Sequence, residues 1–362
     1  MELNSQNSPV DELLSDTGTH QLEGNFQDAI ECYQTALKVE PMNADIYDAL
    51  GLTLLRLGEN RAAKDLFLTS TTLNSNSSSS FRNLGLAHYS LDEKQPAIEA
   101  LKQSIKFNPS NVDALLNIGQ IYSYLEDYDK AKKYFLKAQA ADKSNPEPLS
   151  ELSEVNIKLA DYRAAVENAK AALSLRPNSI KPLRSLANAY RLQANYQLSV
   201  KNGIKLVNLN PSESQNYVEL VKALLAQGGN DVGLKHAHKA IELNPENPEA
   251  YSCMSLVLSR TGEWHEALEH MDRAIALNPD NEDYIGQKAG VLHRLGRNKE
   301  AYDLALPLVS NRSSFRANSL EVLSRIASDY GKEAEIALLL ESVLTNKALA
   351  RAVRSQLSFS TG

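Results

Sequence analysis

Hydrophobic and polar positions recur along this chain with a helical period. Phe81, Leu84 and His88 stand at i, i+3 and i+7, and Leu115, Ile118 and Tyr122 repeat that spacing. Such spacing gathers side chains on one face of a helix. Gly24, Gly58, Gly228, Gly262 and Gly296 stand where such a first helix must stop, and glycine supplies the turn conformation. Prolines 41, 109, 177, 211, 245 and 279 stand where a second helix ends. The pattern predicts helix hairpins from near the start to near the end of the chain.

The hairpins are periodic. The prolines are separated by 68, 68, 34, 34 and 34 residues. Alanines at 29, 63, 97, 131, 165, 267 and 301 share that grid, with Ser199 and Gly233 at its two missing points. Phe26, Tyr128, Tyr162, Tyr196 and Trp264 follow the same period. Independent residue classes on one 34-residue grid mark a helix–turn–helix repeat. One hairpin cannot bury its apolar face alone, so neighbours must stack. Glycine inside a helix costs about 1 kcal/mol against alanine, so small residues recurring at Gly51, Gly85, Gly119, Ala187 and Ala289 imply close helix approach.

Units begin at 10, 44, 78, 112, 146, 180, 214, 248 and 282, and a degenerate tenth begins near 317 after a one-residue slip. The second unit carries Tyr47, Leu50-Gly51, Leu54, Gly58, Ala63 and Phe67; the fourth carries Gly119, Tyr122, Ala131, Phe135 and Ala138 in matching places. On these residues the chain resembles the tetratricopeptide repeat family over about residues 10–350. The resemblance implies an all-α fold: a right-handed α-solenoid (superhelix) of about ten stacked antiparallel helix hairpins. The expected organisation is a disordered tail over 1–9, nine repeats over 10–316, a tenth over 317–350, and a cap or cut-off next repeat over 351–362. The serine run before Phe81 is read as a solvated turn supplying a helix N-cap.

The net charge is −7, from 38 basic and 45 acidic residues, which argues against a general nucleic-acid or membrane-surface role. Two cysteines, Cys32 and Cys253, make no disulfide framework. No apolar run reaches the length of a membrane span, and the first residues lack a signal-peptide pattern. A cytoplasmic protein is the expectation. His265 and His270 are five apart, with Glu269 where a zinc-protease pattern needs histidine, and His236 and His238 diverge on a helix. No phosphate-binding loop or nucleophile elbow occurs. No metal, cofactor or enzymatic activity is expected.

The resemblance places positions 2, 5, 6, 9 and 12–13 of each unit on a concave groove. The family's carboxylate clamp starts best at Arg184 with Asn188, but Glu219, Glu249 and Cys253 stand where the following units need Asn or basic residues. An asparagine ladder has two rungs, Asn83 and Asn117, with helix-surface asparagines as the plainer reading. The remaining feature is charge: Lys181, Arg184 and Arg191 beside Asn188, with Lys222 one unit on and Lys158 one unit back. This cluster suits an acidic peptide, unless Glu147, Glu151, Glu154 and Glu219 neutralise it. Tyr89 and Tyr124, with Leu52, Leu55, Leu86 and Leu116, form a second, apolar stretch. The expected function is a scaffold or adaptor holding a partner peptide or helix in the groove. The alternative is the substrate-recruiting part of a larger sulfotransferase or glycosyltransferase, since the final "QLSFSTG" resembles the last repeat before the catalytic part of such fusions. Self-association through end repeats is a third reading.

Overall fold

The computed structural model describes residues 24–310, together with Thr17 and Leu323. The first helix of the first unit, apart from Thr17, the 1–9 tail, the tenth repeat, apart from Leu323, and the 351–362 cap lie outside the described residues. Among the described residues there are seventeen helices and no strand. They fall into two compact units, one up to Leu159 and one from Ala160 on.

The first unit holds α1 (Phe26–Val39), α2 (Ala44–Arg56), α3 (Asn60–Leu73), α4 (Ser78–Ser90), α5 (Lys94–Phe107), α6 (Val112–Tyr124), α7 (Tyr128–Ala141) and α8 (Glu147–Lys158). The second holds α9 (Tyr162–Leu175), α10 (Ile180–Leu192), α11 (Tyr196–Leu209), α12 (Ser214–Gln227), α13 (Asn230–Leu243), α14 (Pro248–Thr261), α15 (Trp264–Leu277), α16 (Glu282–Arg294) and α17 (Asn298–Ser310). Within each unit every helix packs on the next. Each unit is thus a stretch of α-solenoid. First helices of successive hairpins also touch: α2, α4 and α6 in the first unit, α10, α12 and α14 in the second. Those helices line one face of each stack.

Local chemistry punctuates the hairpins. α5, α9, α11, α13 and α15 end two residues before Pro109, Pro177, Pro211, Pro245 and Pro279. Asn43, Ser77, Asn111, Asn247 and Asn281, spaced on the same grid, accept amide hydrogen bonds at the starts of the next first helices. This cap satisfies an otherwise orphaned donor, and Ser77 plays the part expected of the serine run. The residue closing the turn inside each hairpin is left-handed throughout. It is glycine at 24, 58, 228, 262 and 296, but Asp92, Glu126, Ala160 and Ala194 hold φ of 57–62° at the equivalent places.

The recurrent small residues sit where two helices of a hairpin meet. A Cβ on Gly51 would lie 2.6 Å from Phe67 Cε1, and one on Gly85 would lie 2.6 Å from Leu101 Cγ. Gly119 faces Phe135 in the same way. Phe67, Leu101 and Phe135 are fully buried, so each glycine makes room for a large side chain from its own partner helix. Ser199, off the alanine rule, donates its hydroxyl to the Ala187 carbonyl at 2.8 Å, which accounts for a polar atom there.

Two hairpins also close on themselves. Asn111 Nδ2, at the end of the third unit, donates to Ser78 Oγ at its start (2.8 Å) and to Ser104 Oγ in its second helix (3.2 Å). In the seventh unit Asn247 Nδ2 donates to Ser214 Oγ at 2.9 Å, and Ser214 Oγ donates to the Ala240 carbonyl at 2.8 Å.

Candidate functional site

The second unit brings the predicted basic residues onto the face formed by α10, α12 and α14. Helical spacing puts Arg184, Asn188 and Arg191 along one side of α10, and all three are half-buried. Arg191 Nη2 donates to Asn188 Oδ1 at 2.7 Å, which fixes the guanidinium against its own helix. Arg184 Nη2 reaches Asn216 Oδ1 at 3.5 Å. Both Nε atoms are buried without an acceptor. Lys181 lies at the start of the same helix.

Lys222 is differently placed. On α12 it pairs with Glu219 at 3.3 Å and with Glu249 of α14, whose other oxygen accepts from Gln215. Burial works against the Lys222 charge, but Glu219 and Glu249 outweigh it and hold the ammonium above the ordinary lysine range. Burial likewise opposes ionisation of Glu249, and Lys222, Gln215 and Arg184 together hold its carboxyl below the usual value. Cys253 is buried nearby, and that burial pushes its thiol up to about 12, so it carries no thiolate at neutral pH.

Beside this network lies a pocket of ≈ 440 Å³. Arg191, Lys222, Arg260 and Tyr196 supply its polar lining; Leu225, Ala226 and Leu256 supply its apolar lining. Arg260 Nη1 donates to the Leu225 carbonyl at 2.9 Å, bracing the pocket between α14 and α12. A charge-led reading of the sequence passes over Leu225, Ala226, Leu256 and Arg260, although each falls on a groove position. Glu249 is legible as a residue hostile to the clamp, but its pairing with Lys222 becomes visible only when α12 and α14 are packed.

Asn83 and Asn117 belong to the first unit. Asn83 is buried rather than on a helix surface, accepts from Arg82 Nη2 at 3.2 Å and faces Asp48. Asn117 is half-buried on α6. Of the apolar stretch, Leu116 is core, Leu52 and Leu55 pack against the core, and Tyr89 and Tyr124 remain exposed. Lys94 Nζ lies 4.6 Å from the Tyr124 ring centroid. His236 and His270 rest against Tyr217 and Tyr251, ring centroids 5.9 and 6.0 Å apart, and burial lowers both histidine pKa values. Among the described residues no group of three or more His, Cys, Asp or Glu is arranged to hold a metal. Among them also, no helix is long and apolar enough to cross a membrane.

Comparison with known proteins agrees with this architecture. The family description "TPR repeat" matches residues 22–58, and "Tetratricopeptide repeat" matches 80–111, 112–145 and 248–281. No curated protein matches significantly. A chain of the APC/C hetero-tetramer Cut9–Hcn1 superposes with a TM-score of 0.57 at 15% identity, over 80% of this chain and 57% of that one. A tetratricopeptide repeat protein from Parabacteroides merdae ATCC 43184 gives 0.53 at 16% identity, over 79% of this chain and 100% of that one. At such identities the likeness concerns the fold alone. Repeat spacing, helix pairing, family matches and structural neighbours agree, and the chain is an array of tetratricopeptide repeats.

Proposed function

We propose that the protein is a scaffold that holds a segment of another protein, an extended peptide or a helix, on the face formed by its first helices. Tetratricopeptide arrays are typical of protein–protein interaction scaffolds, and the observation that supports this reading here is the pocket on α10, α12 and α14. It combines apolar surface from Leu225, Ala226 and Leu256 with polar groups from flanking positions. Such a mixture is the composition of a recognition site rather than of a solvated helix face. The role requires no catalytic group, and it fits an adaptor working in the cytoplasm. Arg191, Arg184, Asn188, Lys181 and Lys222 act in it as contact or supporting residues; in the first unit Asn117 is the half-buried asparagine left to meet a ligand, while the buried Asn83 supports the helix packing beside Asp48.

Filling the pocket tests the reading. Ala226→Arg should abolish retention of the partners that the intact chain captures from native extract. Leu136→Arg, at an exposed leucine in the first unit, should leave them in place. Identical capture by both variants, with unchanged helicity, would exclude this face as the binding surface.

A further inference from the structure

The chemistry around the pocket specifies more than a generic peptide. Five cations (Lys181, Arg184, Arg191, Lys222 and Arg260) stand at the groove positions of these three hairpins against two carboxylates, Glu219 and Glu249. Both carboxylates are engaged by Lys222, and Glu249 also by Gln215. Lys222 is therefore the internal counter-ion of its own helix pair. Arg191 and Arg260 are bound to neutral oxygens only, Asn188 Oδ1 and the Leu225 carbonyl, and neither has a carboxylate partner among the described residues. Arg191 Nε is buried and Nη2 is bonded to Asn188, so a carboxylate would meet this guanidinium at its outer, Nη end, as a charge-assisted hydrogen bond. Leu225, Ala226 and Leu256 line the same pocket, and Leu256 is among the more exposed large apolar residues of the chain.

We infer that the pocket is a receptor for an acidic side chain, Asp or Glu, followed or preceded by an aliphatic residue in a partner peptide. Arg191 takes the carboxylate at the Nη end of its guanidinium, Arg260 adds charge from α14, two hairpins on, and the aliphatic residue covers Leu225 and Leu256. Lys222 offsets the local charge of Glu219 and Glu249 by pairing with both, so that they repel an incoming carboxylate less, and does not itself contact the ligand. The inference rests on the groove reading above and deepens it. It differs from the family's terminal-carboxylate clamp, whose following positions are occupied here by Glu219, Glu249 and Cys253. The ligand carboxylate belongs to a side chain within the peptide.

A library of random octapeptides with acetylated and amidated ends, screened against the full chain, isolates side-chain acids from terminal ones. Binders should be enriched in Asp or Glu next to Leu, Ile, Val or Met. For the best binder, Arg191→Gln should weaken binding about tenfold or more, and replacing the peptide acid by its amide should do the same. The two changes combined should cost little more than either alone, because they remove one contact. Arg191→Lys should recover part of the loss, and Arg260→Gln gives a milder loss with the α10 surface intact. Circular dichroism of each variant should match the parent.

Binders lost on Ala226→Arg but free of acids, or indifferent to Arg191→Gln, would overturn the carboxylate assignment while leaving the groove reading intact. Binders indifferent to Ala226→Arg would overturn both. A phosphoserine in place of the peptide acid that tightens binding more than tenfold would reassign the pocket to phosphopeptides and sink the proposal.

Discussion

Two glycines, each inside a helix, should respond to the same substitution with opposite signs. Alanine gains about 1 kcal/mol over glycine in a helix interior. At Gly51 the new Cβ would lie 2.6 and 2.8 Å from Phe67 Cε1 and Cζ, where carbon atoms normally stay 3.5–4.0 Å apart. Phe67 is completely buried between helices and must move by roughly 1 Å. Overpacking of that kind costs about 1–3 kcal/mol, so Gly51→Ala should lose about 1 kcal/mol net. At Gly233 the nearest atom to a new Cβ is Val257 Cγ2 at 3.6 Å, ordinary contact distance. The helical gain survives there, and Gly233→Ala should stabilise by about 1 kcal/mol. Repeat arrays unfold in neighbouring segments rather than all at once. Hydrogen exchange of the α2–α3 and α12–α13 amides is therefore the direct readout, with urea unfolding by circular dichroism beside it. Protection should fall in the first pair of helices for Gly51→Ala and rise in the second for Gly233→Ala. Adding Phe67→Leu to Gly51→Ala should recover part of the loss. Unchanged protection around α2 in Gly51→Ala, or reduced protection around α13 in Gly233→Ala, would refute the packing argument.

Three further outcomes follow from the turns and buried charges. Ala194→Gly should stabilise α10–α11 by about 1 kcal/mol in urea titrations, because alanine is strained at its φ of 58°. Asp48 is buried, accepts from Ser80 Oγ at 2.5 Å through one oxygen and leaves the other without a partner; that burial raises its pKa. The folded state therefore holds the proton more tightly than the unfolded state, and this group costs stability once pH rises through its folded pKa. Asp48→Asn should melt higher than the parent at pH 7, with the gap closing as pH falls toward about 4; a pH-independent gap would rule this out. Lys222→Met should cost about 2–3 kcal/mol by stranding Glu219, somewhat less than a fully buried pair because 26% of the lysine side chain still meets solvent. A Lys222→Met, Glu219→Gln double variant should regain part of that loss in the same urea assay.

Much of the fold is legible along the chain because a 34-residue period constrains many positions at once. Gly51 and Phe67 show how: each residue type makes sense alone, and the spacing says that they meet. Turn conformation is only half legible. Glycine announces the left-handed residue at 58, 228, 262 and 296, whereas Ala194 or Glu126 at the same place carries no such signal. The strain of one residue is small beside the packing of a hairpin, so the stack imposes it. The site is less legible still. Lys222 reads as a free cation until α14 brings Glu249 beside it, and Arg260 reads as an ordinary helix-end arginine until it reaches the Leu225 carbonyl. Neutralisation and bracing are properties of neighbouring helices, and a helix read alone does not contain them.

The hydrogen bonds that join Asn111 to Ser78 and Asn247 to Ser214 tie the last residue of a repeat to its first. A repeat cut at those boundaries carries both halves of its latch, and the 78–111 repeat also carries both halves of its Gly85–Leu101 contact. The whole 34-residue segment is therefore the natural unit of transplantation. Exchange of single helices between neighbours would separate matched partners, whereas exchange of complete segments would conserve them. Loss and duplication of repeats in this lineage should then fall at the asparagine or serine boundaries, leaving the interior of each segment to change by paired substitutions.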